Sequence, residues 1–143
     1  MSLSRQRLAQ QLRRHEGLRL KPYLDTVGVL TIGVGRNLED KGISESEAML
    51  MLDHDIDDAI LDVQAVTGRP TFLKLNGPRR AVLINMAFNL GRTRLRSFKN
   101  MLRCVEQGDF EGAAREMLDS KWAVQVGQRA VELADIMRTG HYE

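Results

Sequence analysis

The sequence predicts an α+β fold, with a small N-terminal β-hairpin lobe and a larger C-terminal helical lobe joined by a long helix. Three observations predict it. Residues 17–35 are rich in glycine, valine and threonine, which is typical of short strands and tight turns. Apolar residues recur at helical spacing over residues 44–66, and this helical periodicity returns over residues 77–137. At 143 residues the chain has the usual length of one compact domain.

The first elements are a helix and a hairpin. A helix is predicted over residues 4–15, where leucines lie one turn apart and Gly17 follows the end. Residues 25–28, Asp-Thr-Val-Gly, predict a hairpin turn, and residues 29–34 predict its return strand. A hairpin of this size is not stable alone in water, so we expect it to pack on helices.

A long helix is predicted over about residues 44–67. Ser44 and Glu47 have the spacing of a capping box, in which each side chain accepts a hydrogen bond from the other residue's backbone N–H. Gly68 ends this helix, and Pro70 lies just beyond it. We expect this helix to join the two lobes.

The rest of the chain is predicted to be helical. Residues 76–90 predict a helix that is apolar nearly all round and therefore buried, and Gly91 closes it. Ser97 and Asp109 are the expected N-caps of two further helices, and residues 125–137 predict the last one.

We therefore expect one domain over residues 1–143. Its small lobe spans about residues 16–43 and its connecting helix about residues 44–67. The helical lobe spans about residues 68–143 and also includes the first helix, residues 4–15.

Composition excludes several classes of protein. Hydrophobic residues make up 43% of the chain and charged residues 28%, which is ordinary for a globular protein and excludes disorder. The single cysteine, Cys104, excludes an intrachain disulfide, and we predict a structural thiol. The longest apolar stretch, residues 81–90, is too short to cross a bilayer, and the first residues contain no apolar signal region. We expect a cytoplasmic product without membrane insertion.

The net charge of +2 hides an uneven distribution. Residues 43–66 carry seven acids and no lysine or arginine, whereas the segments on either side are basic. A basic body suits an anionic polymer, a membrane surface or nucleic acid. Arg79-Arg80 and residues 92–96 motivate one alternative, a non-enzymatic module that binds nucleic acid. No helix presents basic residues at a readable spacing, so we expect no nucleic-acid partner.

Two carboxylates and a hydroxyl carry the chemistry. Glu16 stands at the end of the first predicted helix, Asp25 begins the hairpin turn, and Thr31 lies on the return strand. Because the chain doubles back between them, the two carboxylates can face each other across a groove. Cleavage of a glycosidic bond needs such a pair: one protonated carboxyl for the leaving oxygen and one carboxylate that supports attack at the anomeric carbon.

The full pattern over residues 16–35 is Glu-Gly-x-Arg-Leu-x-x-Tyr-x-Asp-x-x-Gly-x-x-Thr-Ile-Gly-x-Gly. It resembles the phage endolysin family typified by T-even phage lysozyme. The likeness covers nearly the whole chain and continues in five further segments: residues 43–48, 81–91, 120–122, 129–130 and 138–140.

The resemblance implies a lysozyme-like fold and a muramidase. Such an enzyme hydrolyses the β-1,4 bond between N-acetylmuramic acid and N-acetylglucosamine in peptidoglycan, with inversion and without a cofactor. By position, Glu16 resembles the general acid, Asp25 the residue that activates water, and Thr31 a residue that holds that water. Inverting carboxyl pairs are separated by roughly 6.5–9.5 Å, which leaves room for the water.

The resemblance also implies residues that bind the glycan strand: Phe88, Asn89, Phe98, Met101, Glu116, Trp122 and Arg129. For Phe88 and Trp122 the alternative is plain core packing, and Arg129 resembles an arginine that pairs with the catalytic acid. Asn85, on the predicted buried helix, is expected to be a hydrogen-bonded structural amide.

The chain departs from the typical family member in two places. Arg36 stands where the T-even enzyme has a histidine paired with an aspartate, so we hypothesise an Arg36–Asp55 pair in its place. Residues 37–42 form a much shorter connection than in the T-even enzyme, so we expect a trimmed small lobe.

Other conspicuous residues have structural interpretations. The three histidines, His15, His54 and His141, lack the spacing of metal ligands, and the acidic run over residues 53–58 lacks the glycine of a calcium loop. We therefore expect no metal.

Two further expectations concern activity and access. A lytic transglycosylase acting on the same substrate is the alternative activity. That chemistry needs only the acid, so the presence of Asp25 and Thr31 argues against it. We expect a monomer that acts on the cell wall of a bacterial host and relies on a holin to reach it.

Overall fold

Eight helices and one three-stranded antiparallel sheet form residues 2–143, the part of the chain that the computed structural model describes. This composition confirms the predicted α+β class. The chain divides into two compact units, one ending at Leu50 and the other spanning Met51–Glu143. The first helix falls in the first unit together with the sheet. Its expected place in the helical lobe stays a prediction.

The first unit contains α1 (Arg5–Glu16), β1 (Arg19–Leu24), β2 (Leu30–Gly33) and β3 (Arg36–Asn37). Its sheet has the order β1-β2-β3, with Tyr23 opposite Thr31 and Ile32 opposite Arg36. The register shifts between Arg19 and Tyr23, where Pro22 has no N–H to donate to a neighbouring strand.

The ends of α1 follow from its sequence. The Ser4 side chain accepts a hydrogen bond from the Arg7 N–H at 3.3 Å and caps the start. Gly17, at φ +78°, turns the chain out of the helix, and its N–H donates to the Arg13 carbonyl. The helix therefore stops directly after Glu16, as predicted.

The long helix α2 spans Glu45–Thr67. The predicted capping box is present: the Glu47 N–H donates to Ser44 Oγ at 3.2 Å, and the Ser44 N–H donates to Glu47 Oε1 at 2.8 Å. The boundary between the two units falls inside this helix.

The second unit holds the hydrophobic core. Besides most of α2 it contains α3 (Arg69–Lys74), α4 (Gly77–Arg96), α5 (Lys99–Gln107), α6 (Phe110–Leu118), α7 (Lys121–Val126) and α8 (Gln128–Thr139). Its largest fully buried side chains are those of Leu83, Met86, Leu95, Met101, Met117, Met137, Val63 and Val82. Four of these eight are methionines, whose flexible side chains fill irregular gaps between helices.

Several predicted boundaries needed correction. Gly91 leaves the helical conformation as expected, at φ +80°, but helical turns resume directly after it as far as Arg96. Ser97 is the C-cap of that segment, and the next helix begins after Phe98, so the predicted N-cap at Ser97 was wrong. Asp109 is an N-cap as predicted and accepts from the Gly112 N–H at 2.9 Å.

Candidate active site

The side chain of Glu16 lies against the loop between β2 and β3. A Cβ atom at Gly35 would lie 2.8 Å from Glu16 Oε2 and 3.0 Å from its Cδ, closer than real Cβ atoms approach such atoms. Gly35 also has a φ of +67°, which L side chains rarely adopt. A side chain at position 35 would therefore be strained by its backbone conformation and would displace the Glu16 carboxyl, beside which the bare backbone of Gly35 lies.

The carboxylate of Asp25 is held by the hairpin turn. Its Oδ1 accepts hydrogen bonds from the N–H groups of Val27 at 2.9 Å and Val29 at 2.8 Å. Within residues 2–143 no donor reaches Oδ2. The turn thus fixes the direction of the carboxylate through one oxygen and leaves the other able to accept a proton.

Strand alternation places Thr31 and Asp25 on the same face of the hairpin. Tyr23 is paired with Thr31, and side chains alternate along a strand, so Tyr23, Asp25 and Thr31 share one face. Thr31 is only 4% exposed, and its hydroxyl donates to the Val29 carbonyl at 2.8 Å. Because its proton is engaged, the hydroxyl oxygen is oriented to accept a further hydrogen bond.

The first unit therefore carries all three predicted catalytic residues. Glu16 ends α1, Asp25 follows β1, and Thr31 lies in β2. Their roles and the separation of the two carboxyls stay predictions.

Arg36 pairs with Glu47 and not with Asp55, which corrects the hypothesis drawn from the sequence. Arg36 donates from Nη1 to Glu47 Oε1 at 2.7 Å and from Nη2 to Oε2 at 2.5 Å. Nη1 also donates to the Gly42 carbonyl at 3.2 Å. This pair is bidentate, since the two parallel donors of a guanidinium match the two oxygens of a carboxylate.

In the second unit, four of the predicted glycan-binding residues line one concavity of about 380 Å³: Phe98, Met101, Glu116 and Trp122. Met101 is almost fully buried, so it forms the floor rather than a free contact.

Trp122 is both a core residue and a wall of this concavity. It is 4% exposed, and its ring packs edge-on against Phe98 with centroids 6.1 Å apart and an interplanar angle of 83°. Its indole N–H donates to Asn89 Oδ1 at 2.8 Å. Trp122 is therefore packed in the core, as the alternative interpretation expects, and it also lines the concavity. Asn89 orients its ring.

Phe88 and Arg129 line a different, mostly apolar concavity of about 470 Å³ in the second unit. Phe88 is 48% exposed, so core packing does not describe it. Arg129 donates to Asn85 Oδ1 from Nε at 3.0 Å and from Nη2 at 2.7 Å. Asn85 is hydrogen-bonded as expected but is exposed rather than buried. The pairing of Arg129 with the catalytic acid stays a prediction.

Sequence reasoning missed the polar rim of the first concavity. Arg94, Lys99, Asp119, Lys121 and Gln125 line it together with the predicted residues. Two of these residues could have been predicted from their neighbours in the sequence, because Lys99 follows Phe98 and Lys121 precedes Trp122. Nor did any signal in the sequence predict that Gly35 lies against the Glu16 carboxyl.

Residues 2–143 contain neither a metal-ligand cluster nor a membrane-spanning helix. Within that range, no cluster of three or more histidine, cysteine, aspartate or glutamate side chains could hold a metal ion. None of the helices there has the length and apolar character needed to span a bilayer.

The half-buried Cys104 has a raised thiol pKa, because burial and the neighbouring Asp109 disfavour the thiolate.

The many helices and the small three-stranded antiparallel sheet are those of a lysozyme-like α+β fold. Residues 13–137 match the phage lysozyme family model. The chain is 27% identical to a probable T4-type lysozyme of Dictyostelium discoideum, over 93% of this chain and 94% of that protein. It is 31% identical to a SAR-endolysin of Escherichia phage Mu, over 87% of this chain and 75% of that protein.

A third relative is the pre-baseplate central spike protein Gp5 of Enterobacteria phage T4, 31% identical over 95% of this chain. The chain spans only 28% of the length of that spike protein. On these matches, the chain belongs to the phage lysozyme family. It is accordingly a lysozyme, that is, an enzyme that hydrolyses peptidoglycan.

The ion pair beside the site predicts a specific pH dependence. The Arg36 guanidinium and the Ser44 N–H stabilise the ionised Glu47 and lower the pKa of its carboxyl from 4.5 to about 2. A carboxyl with a depressed pKa stabilises the fold above its unfolded pKa, and that stabilisation is lost as the pH falls through the folded value. Wild type should therefore be more stable than Glu47→Gln at pH 7. The difference should shrink below about pH 4.5 and vanish near pH 2.

Urea unfolding of both proteins at a series of pH values measures this difference. Glu45→Gln, in the same first turn of α2, is the matched control and should track wild type. A Glu47→Gln difference that stays constant from pH 7 to pH 2 would contradict the assignment of the pair.

Proposed function

We propose that the chain hydrolyses the β-1,4 bond between N-acetylmuramic acid and N-acetylglucosamine of peptidoglycan, with inversion at the anomeric carbon. The observation that carries this proposal is the fixed carboxylate of Asp25, which shares one face of the hairpin with the Thr31 hydroxyl. A base and a polar oxygen on one rigid surface are what a positioned water molecule needs. Family membership supports the substrate.

Glu16 is the proposed general acid. Its protonated carboxyl gives a proton to the glycosidic oxygen while the bond from the anomeric carbon to that oxygen breaks. The leaving sugar departs as a neutral alcohol, and Glu16 is left ionised. The close approach of Gly35 supports this role, because the backbone there limits where the carboxyl can go.

Asp25 is the proposed base, and Thr31 helps to hold the water. The water attacks the anomeric carbon from the face opposite the leaving oxygen, and its proton passes to the free Oδ2 of Asp25. Thr31 accepts a hydrogen bond from the same water through its hydroxyl oxygen. After product release, exchange with solvent restores a protonated Glu16 and an ionised Asp25.

The concavity of the second unit is the proposed contact for the glycan strand. The aromatic edges of Phe98 and Trp122 offer apolar surface to sugar rings, and Glu116 offers a hydrogen-bond acceptor. Asn89 acts by orienting Trp122. Phe88 and Arg129 are proposed as further contacts from the neighbouring concavity.

Access and assembly are also proposals. We propose a monomer made in the cytoplasm of the bacterial host and dependent on a holin to reach the cell wall. Neither a cofactor nor a nucleic-acid partner takes part in the proposed reaction.

Removal of either carboxylate should abolish lysis without unfolding the chain. Glu16→Gln and Asp25→Asn should each lower the initial rate of turbidity clearing on purified cell walls by at least about 100-fold, since general acid–base groups contribute about 10²–10⁴-fold. Glu39→Gln, an exposed carboxylate in the first unit, is the control and should clear at the wild-type rate. Near-normal clearing by Glu16→Gln would refute the acid assignment.

The products distinguish hydrolysis from the transglycosylase alternative. Digested peptidoglycan should release muropeptides with a reducing end, and proton NMR at early times should show the α-anomer, because water attacks opposite the β-linked leaving group. Products ending in 1,6-anhydro sugars would establish the transglycosylase. An initial β-anomer would overturn inversion while leaving hydrolysis intact.

A further inference from the structure

We propose that Arg36 is a positioning residue for the Glu16 carboxyl, because its bidentate pair with Glu47 holds the β2–β3 loop against the acid. The inference rests on the proposed function only for the role of Glu16 in catalysis. The structural part, that the pair fixes the surroundings of this carboxyl, stands on contacts within the first unit.

The loop that lies against Glu16 is weakly held by its own strands. Gly33 ends β2 and Arg36 begins β3, so residues 34–35 form a two-residue loop, with positive φ at both Gly33 and Gly35. The strand β3 that follows is only two residues long. So short a strand contributes few backbone hydrogen bonds, and glycines add conformational freedom, so this loop needs a further anchor.

Arg36 supplies that anchor. Its guanidinium makes two hydrogen bonds to Glu47, in the first turn of α2, and one to the Gly42 carbonyl. Glu47 is itself fixed by the Ser44 N–H through the capping box. Two hydrogen bonds thus tie the start of β3 to the first turn of α2 and a third ties it to Gly42, so position 36 cannot shift without breaking this network.

The anchor acts on the acid through the neighbouring residue. Gly35 directly precedes Arg36, and its Cα faces the Glu16 carboxyl so closely that even a methyl group would collide with it. If the loop moved away, the carboxyl would gain room to rotate and would lose the direction needed to meet the glycosidic oxygen. Misplacing a reacting group by about 1 Å can cost about 100-fold in rate.

The test compares two arginines that are each paired with a carboxylate, the half-buried Arg36 and the exposed Arg138. Arg36→Met keeps an unbranched stem and removes the anchor, whereas Arg138→Met removes the Arg138–Asp135 pair at the far end of the chain. Initial rates should be measured against peptidoglycan concentration and expressed per folded molecule. Arg36→Met should lower kcat about 10- to 100-fold and leave KM within about twofold, and Arg138→Met should change neither.

A readout that does not depend on activity separates this inference from the proposed function. The carboxyl ¹³C resonance of Glu16, assigned by its loss in Glu16→Gln, should shift in Arg36→Met and stay in place in Arg138→Met. An unchanged Glu16 resonance would overturn the inference even if the enzyme lost activity. If the wild-type protein showed no hydrolysis but the Glu16 resonance still shifted in Arg36→Met, the positioning role would stand and the proposed function would be wrong.

A second variant changes the other partner of the Arg36–Glu47 pair. Glu47→Gln keeps a side chain that can complete the capping box but gives Arg36 only one acceptor oxygen. It should shift the Glu16 resonance in the same direction and lower kcat less than Arg36→Met does. Wild-type kcat in both variants would contradict the proposal, whatever their stability.

Discussion

A glutamate at the last residue of a helix is normally free to turn, and in this chain a bare stretch of backbone limits that freedom. The helix ends because Gly17 turns the chain away, which leaves Glu16 at its edge. Gly35 then lies so close to the carboxyl that a Cβ atom at this position would push the Glu16 side chain aside. The two-residue loop, the short strand β3 and the capping box of α2 can all be understood as the support of this one contact.

The two units contribute different chemistry. The first unit has little hydrophobic core, and it holds its polar groups by backbone hydrogen bonds, as in the turn that fixes Asp25 through two N–H groups. The second unit has a methionine-rich core whose edge becomes the wall of a concavity, as in Trp122, which is buried and yet lines it. Asp25 thus stands on a hydrogen-bonded turn, and the proposed binding surface stands on packed helices.

Local signals predicted most of the fold. Ser44 and Glu47 predicted the start of α2, and Gly17 and Asp109 marked helix ends correctly, because capping depends on neighbours within four residues. The short helix α3 was missed because Pro70 was interpreted only as a stop after Gly68. Proline also suits the first turn of a new helix, where its missing N–H has no partner to lose.

The site was predictable in its residues but not in its contacts. The pattern over residues 16–35 marked Glu16, Asp25 and Thr31. The partner of Arg36 could not be predicted, since it depends on how residues 37–42 fold back, with Asn37 and Asp40 hydrogen-bonded to each other in a turn. The approach of Gly35 to Glu16 likewise joins residues 19 positions apart through the sheet, and no local signal encodes it.

The most direct measurement compares alanine at two glycines with similar φ angles. Gly35→Ala and Gly108→Ala both place a side chain at positive φ, +67° and +75°, but open space surrounds position 108. Both should lose about 1–2 kcal/mol of unfolding free energy. Only Gly35→Ala should also lose about 100-fold in kcat per folded molecule. Wild-type kcat in Gly35→Ala would contradict the claim that this contact positions the acid.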